Sequence, residues 1–164
     1  MKSIPTSFFL LTLLVSACST TSEPIASNTP VSSAPLTVVD RQGTSHDLDA
    51  TLKAGRPVAL IFWQSWCVSC LEEAPQLAKD SKNWGEKIQF LGVVPGPDKT
   101  VDESAIDMAL NKFGLSYPQI RDRDLLLTRR FAVEGTPTII VLGANNEVLY
   151  RGHQPPEDWG LWAK

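Results

Sequence analysis

The stretch that decides the fold runs from Val58 to Cys70 and reads VALIFWQSWCVSC. Its first part, Val58 to Trp63, is a continuous apolar run, which is typical of a central strand buried on both faces of a sheet. Cys67 and Cys70 follow closely, and a helix is predicted from Cys67 to about Trp84. The sequence therefore predicts a buried strand that leads directly into a helix with two cysteines in its first turn.

The position of the two cysteines at a helix start gives them a specific chemistry. The first amides of a helix have no partners within the helix and carry partial positive charge. A thiol placed there is stabilised as the thiolate, which is the reactive form. We therefore expect Cys67, at the helix tip, to be an exposed nucleophile. We expect Cys70, one turn inside, to be shielded and to resolve the mixed disulfide.

Three other uses of two cysteines at this spacing fit the sequence less well. A zinc site needs a second pair of ligands, and the chain has only three cysteines. Haem attachment needs a histidine directly after the second cysteine, where this chain has Leu71. A purely structural disulfide that closes so short a loop would stabilise the fold little. The pattern therefore favours a redox-active pair.

Outside this stretch the sequence alternates further predicted strands and helices. Predicted strands cover residues 36–39, 44–52, 88–94, 138–142 and 148–151, and predicted helices cover about 100–114, 125–131 and 155–164. Thr100 and Glu103 form a predicted capping box, and Gly114 is the predicted helix stop. The order β-β-β-α-β-α-α-β-β-α predicts an α/β fold with a central mixed sheet.

The N-terminal region is predicted to be a signal peptide followed by a flexible linker. Residues 1–17 have a positive start and a short apolar run, which is typical of a secretory signal peptide. The stretch VSAC that ends at Cys18 resembles the bacterial lipobox, so Cys18 is the predicted lipidation site. The alternative is that an ordinary signal peptide is cleaved here and that Cys18 has no role. Residues 18–35, rich in Ser, Thr and Pro, form a predicted flexible linker, and residues 36–164 the folded domain.

The composition excludes several classes of protein. With 43% hydrophobic and 20% charged residues, the chain is neither fibrous nor wholly disordered. A net charge of −3 gives no basic surface for nucleic acid. The chain has too few cysteines to be a small secreted domain that is held together mainly by disulfides. Only two histidines, His46 and His153, are present, and neither is expected near the cysteines, because His153 follows the last predicted strand. No metal site is predicted.

Four motifs together resemble the thioredoxin superfamily, and more closely its exported, membrane-tethered TlpA/ResA-like branch. They are FWQSWCVSC at residues 62–70, EAP at 73–75, GTPT at 135–138, and a strand–helix segment over residues 90–120. The resemblance implies a thioredoxin-like fold with an N-terminal β-hairpin and a βα insertion. It also implies thiol–disulfide oxidoreductase activity outside the cytoplasm.

The resemblance assigns roles to further residues of this chain. Pro137 matches the family's cis-proline beside the disulfide, and the backbone of Thr136 matches the segment that docks the substrate. Trp66 matches a position that flanks the nucleophile and shapes the docking surface. Glu73 matches an acidic position close to the cysteines, where it could exchange a proton with the resolving thiol. Many thioredoxins carry a buried acid where this chain has Ile61, so Glu73 is the remaining carboxylate candidate.

The direction of electron flow is open from the residues alone, because Val68 and Ser69, between the cysteines, indicate neither a strong reductant nor a strong oxidant. The resemblance favours reduction. It implies a transmembrane thiol relay as electron donor and an exported cysteine-containing protein, for example an apocytochrome c, as acceptor. No cofactor beyond the Cys67–Cys70 disulfide is expected, and the chain is expected to be a monomer.

Two other functions stay open. The same site could serve a disulfide oxidase, or the chain could be a redox-inert or copper-handling binding lipoprotein. Copper carriers of related fold have three residues between their cysteines, whereas this chain has two. The signal peptide and Cys18 predict attachment to the periplasmic face of a bacterial membrane, and Ser19 favours sorting to the outer membrane.

Overall fold

The computed structural model describes residues 35–163. The predicted signal peptide, Cys18 and all but the last residue of the predicted linker lie outside the described residues. The strands are β1 Thr37–Val39, β2 Ser45–Asp47, β3 Val58–Phe62, β4 Gln89–Pro95, β5 Gln119–Asp122, β6 Thr138–Leu142 and β7 Val148–Gly152. The helices are α1 Leu48–Lys53, α2 Val68–Trp84, α3 Glu103–Phe113 and α4 Leu126–Arg130.

The central sheet is mixed, as the sequence predicts. Its strand order is β5-β4-β3-β6-β7, with β3, β4 and β5 parallel and with β6 and β7 antiparallel to their neighbours. β3 lies in the middle and all five of its residues are buried. The continuous apolar run therefore forms the predicted central strand. β1 and β2 form the predicted N-terminal hairpin, and the structure shows it as a two-stranded sheet of its own.

Alternating side chains of β3 point into two cores on opposite faces of the sheet. Leu60 and Phe62 pack with residues of the hairpin, α1 and α4. Ile61 packs on the other face with α2. α2 is thereby fixed against the sheet at the end of β3, which is the position of the two cysteines. Among residues 35–163, no helix is both long and apolar enough to cross a membrane.

Three predicted elements differ in the structure. The predicted strand over 44–52 is β2 followed by helix α1, because the Asp47 side chain accepts a hydrogen bond from the Ala50 amide and caps that helix. The predicted helix over 155–164 is only a short 3-10 turn, Trp159–Leu161. β5 was not predicted at all, since its sequence QIRD is polar although all four residues are buried.

The predicted capping box of α3 is also wrong. Asp102 caps this helix, and its side chain accepts hydrogen bonds from the Ser104 and Ala105 amides. The Thr100 hydroxyl donates to the Pro97 carbonyl instead, and Glu103 forms ion pairs with two arginines. The predicted stop of α3 is confirmed, because Gly114 follows its last residue in the left-handed conformation.

A buried glutamine connects β5 to the strand that leads to the cysteines. Gln119 passes over Gly92 of β4, and its Oε1 accepts a hydrogen bond of 2.9 Å from the Trp63 Nε1–H. A Cβ at Gly92 would lie 2.0 Å from that same Oε1. Trp63 is buried, as predicted, and packs in one hydrophobic cluster with both cysteines. The absence of a side chain at Gly92 is therefore what allows this hydrogen bond.

We expect Gly92→Ala to lower the free energy of unfolding by about 2–4 kcal/mol, since it overpacks the core and separates Gln119 from Trp63. Urea unfolding followed by circular dichroism measures the change. Gly135→Ala is the matched control, because a Cβ there meets no atom within 4 Å and its φ is not in the left-handed region. A Gly92→Ala variant that unfolds at the wild-type urea concentration would contradict this packing argument.

Candidate active site

Cys67 and Cys70 form a disulfide at the start of α2. Their sulfurs are 2.13 Å apart and their Cα atoms are 5.2 Å apart. Cys67 is the N-cap residue of the helix, and its Sγ accepts a hydrogen bond of 3.3 Å from the Cys70 amide. The first turn of α2 contains no acidic residue. No carboxylate within that turn therefore offsets the partial positive charge that the helix start exerts on Cys67.

Both sulfur-bearing residues are buried in this oxidised state, with 6% of Cys67 and 4% of Cys70 exposed. The prediction that Cys67 is exposed is therefore wrong for the disulfide form. Its Sγ is bonded to Cys70, and the Thr136 carbonyl lies 3.5 Å away. Exposed apolar side chains flank it instead, since Trp66 is 68% and Val68 is 70% exposed.

The Thr136–Pro137 segment lies beside the disulfide. Its peptide bond is cis, which confirms the predicted isomer. Pro137 is buried and has no amide hydrogen, so no backbone donor competes for the sulfur at this position. The carbonyl that approaches Cys67 belongs to Thr136. The structure therefore brings together the cysteines and two of the three residues for which a role in substrate docking is predicted, Thr136 and Pro137.

A groove runs next to this segment. It encloses about 550 Å³ and is lined by Ser69, Glu72, Glu73, Thr136, Pro137, Tyr150, His153 and Gln154. Glu73 is half-buried in it. Burial, and to a smaller extent the charge of Glu73, raise the pKa of the Tyr150 hydroxyl. Glu73 and Tyr150 thus face the same space beside Pro137. Trp66 is not part of the groove lining.

Tyr150 and His153 were not predicted as site residues, and the expectation that His153 lies far from the cysteines is wrong. The His153 ring Nδ1 lies 2.7 Å from the Pro137 carbonyl oxygen. The antiparallel pairing of β6 and β7, which sets Ile139 opposite Gly152, carries His153 back to this end of the sheet. One residue beyond the Ile139–Gly152 pair, this register brings His153 opposite Thr138, next to Pro137; the sequence predicted the hairpin but not its register, which shifts between Val141 and Leu142.

The remaining histidine is part of a structural pair at the N-terminal hairpin. His46 Nε2 lies 2.9 Å from a carboxylate oxygen of Asp40. Burial raises the pKa of Asp40, but its hydrogen bonds with His46 and with two backbone amides outweigh this and leave the pKa lowered. Within residues 35–163 no three His, Cys, Asp or Glu side chains cluster closely enough to hold a metal ion.

Comparison with known proteins gives a consistent result. A redoxin family model matches residues 26–159. The thiol-disulfide oxidoreductase ResA of Geobacillus kaustophilus is 30% identical over 126 residues, which cover 74% of this chain and 68% of that protein. ResA of Bacillus subtilis is 25% identical over 96 residues, which cover 58% of this chain. The matched segment spans about half the length of that relative, 51%.

A solved structure supports the same conclusion. The exposed lipoprotein thioredoxin Etrx1 of Streptococcus pneumoniae superposes with a TM-score of 0.59 and 25% identity. The match covers 76% of this chain and 92% of that one. The central mixed sheet with flanking helices is therefore thioredoxin-like, as the resemblance implied. With its matched family model, its ResA relatives and this fold, the chain belongs to the redoxin family, as a TlpA/ResA-like member of the thioredoxin superfamily.

Proposed function

We propose that this protein is an extracytoplasmic thiol–disulfide oxidoreductase that reduces disulfides of exported proteins. The observation that carries the proposal is the Cys67–Cys70 disulfide at the start of α2, with the cis Thr136–Pro137 segment against it. The ResA relatives, named as thiol-disulfide oxidoreductases, support the proposal. The cysteine pair itself carries the electrons, so the proposal needs no further cofactor.

In the proposed reaction Cys67 is the nucleophile. In the reduced protein its thiolate is stabilised by the positive end of α2 and can accept hydrogen bonds from the Cys70 amide and the Ser69 hydroxyl, which lies 3.6 Å from the sulfur. The thiolate attacks a substrate disulfide, forms a mixed disulfide and expels one substrate thiolate. Cys70 then attacks Cys67 Sγ, which releases the second substrate thiol and restores the disulfide. The substrate gains two electrons and two protons.

The direction of the reaction can be measured directly. A reductant in an oxidising compartment needs an electron donor, and we propose a transmembrane thiol relay for this role and an apocytochrome c as one acceptor. Equilibration of the Cys67–Cys70 pair with glutathione buffers gives its reduction potential. A value near that of thioredoxin, about −270 mV, supports a reductase, whereas a value near that of DsbA, about −120 mV, would instead identify a disulfide oxidase.

We propose in addition that the chain is lipidated at Cys18 and held on a membrane facing the periplasm, with Ser19 directing it to the outer membrane. The lipobox-like stretch before Cys18 supports this, and Etrx1 is itself described as an exposed lipoprotein. Stable anchoring requires at least two acyl chains. Cys18→Ser should abolish the incorporation of radiolabelled palmitate into the protein. Palmitate incorporation by Cys18→Ser equal to that of the wild type would refute lipidation at Cys18.

Glu73 is the proposed proton relay for the resolving thiol. It lies half-buried in the groove, three residues after Cys70 on the same helix. We expect Glu73→Gln to lower kcat by about tenfold or more and to remove one ionisation from the pH profile of kcat, because a relay must gain and lose a proton. Glu72→Gln removes the same charge one residue away, and should have the smaller effect. Identical pH profiles for wild type and Glu73→Gln would exclude the role.

A further inference from the structure

His153 makes a directed contact with the segment beside the disulfide. The ring Nδ1 lies 2.7 Å from the carbonyl oxygen of Pro137. A carbonyl oxygen can only accept a hydrogen bond, so Nδ1 carries the hydrogen and donates it. His153 therefore anchors the carbonyl that directly follows the cis bond, although its own side chain is largely exposed.

The turn that carries His153 is itself fixed by Tyr150. The Tyr150 hydroxyl donates a hydrogen bond of 2.8 Å to the Gln154 carbonyl and so bridges the turn that contains His153. The phenol ring occupies the space above Gly152, where a Cβ would lie 2.2 Å from the hydroxyl oxygen. A glycine at this position thus lets the tyrosine hold the turn, and the held turn presents the imidazole to Pro137.

Two hydrogen bonds hold the anchored segment at its two ends. The ladder between β6 and β3 begins only at Thr138, opposite Phe62. The Thr138 hydroxyl donates to the Gly135 carbonyl at 2.7 Å and closes the loop on one side. His153 restrains it on the other side, at Pro137. Between these two restraints lies Thr136, whose carbonyl is 3.5 Å from Cys67 Sγ.

We propose that His153 is a positioning residue for substrate binding: by holding the Pro137 carbonyl it sets the orientation of the Thr136 backbone on which a protein disulfide docks. The inference rests on the proposed reductase function. The imidazole acts through Pro137 and not on the sulfurs. Its loss therefore weakens the binding of a docked protein substrate, while the reduction potential of the Cys67–Cys70 pair stays the same.

The test uses insulin as protein disulfide and dithiothreitol as electron donor. Loss of one hydrogen bond predicts that His153→Ala raises KM for insulin about three- to tenfold with little change in kcat. His153→Asn should restore the wild-type KM, because its amide nitrogen can occupy the position of Nδ1. His153→Gln places its nitrogen one bond farther out and should not. Circular dichroism and thermal unfolding establish that each variant is folded.

The outcomes separate the two proposals. A reduction potential of the Cys67–Cys70 pair near that of DsbA would overturn the proposed function itself, whatever the His153 variants do. If the wild type is active, an unchanged KM in His153→Ala overturns the positioning role. The same holds if His153→Asn binds insulin as weakly as His153→Ala does, or if His153→Ala shifts the reduction potential. A raised KM that only His153→Asn restores supports the inference even if His153→Gln is unstable.

Discussion

Cys67→Ser should lower the rate of insulin reduction by at least about a thousandfold, because a serine hydroxyl is not ionised at neutral pH and cannot form a mixed disulfide. The fold should survive the change. Cys67 is the N-cap residue of α2, and its sulfur accepts the Cys70 amide hydrogen. Serine is among the preferred N-cap residues and can accept the same hydrogen bond. Activity is measured by insulin turbidity, and folding by circular dichroism.

The third cysteine provides a matched control for that experiment. Cys18→Ser makes the same chemical change outside residues 35–163, and it should leave reductase activity in solution intact. Loss of activity in Cys67→Ser alone then assigns the chemistry to the start of α2. Substantial turnover by the Cys67→Ser protein would rule out the proposed nucleophile.

Cys70→Ser should instead trap the reaction halfway. Cys67 can still attack a substrate disulfide, but no second sulfur is available within the helix to release the product. We expect turnover to fall below about a hundredth of the wild-type rate, with a covalent Cys67–substrate adduct accumulating. For this experiment the variant is reduced and freed of dithiothreitol before insulin is added. The adduct then appears on non-reducing gels and in intact-mass spectra, and it disappears when dithiothreitol is added back.

The double variant Cys67→Ser, Cys70→Ser is the control for the trapping experiment, because it lacks both sulfurs of the pair and should form no adduct. An adduct in the double variant would mean that a different cysteine reacts. If the wild type is active and Cys70→Ser accumulates no adduct, the assignment of Cys67 as the attacking residue and Cys70 as the resolving residue is wrong.

Elements whose pattern is local were predicted well from the sequence. The apolar run of β3 required burial on both faces, and all five of its residues are buried. The helix start at Cys67 and the end of α3 at Gly114 also follow from neighbouring residues, and both agree with the structure. Strand β6 was predicted with its observed bounds, because its run of β-branched residues is short and bounded by turn signals.

Strand β5 shows why other elements could not be predicted. Its residues Gln119, Arg121 and Asp122 are polar and read as a loop, yet all are buried. Asp122 accepts hydrogen bonds from the nearby Leu127 and Thr128 amides, whereas Gln119 and Arg121 have partners distant in sequence. Gln119 accepts from Trp63, and Arg121 donates to the Val94 carbonyl at 2.6 Å. A buried polar strand is stable only when such partners are present, and the local pattern contains no information about them.

The sequence by itself determined the reactive pair, the strand that precedes it and the helix that begins at it, because these depend on residue type and spacing over one or two turns of chain. The family resemblance placed Thr136 and Pro137 beside the sulfurs, and only the tertiary structure placed His153 next to Pro137. Strand pairing carries Thr136 to Cys67, and the β6–β7 register carries His153 to Pro137. Such contacts depend on how whole strands align, and that alignment is set by burial across the entire sheet.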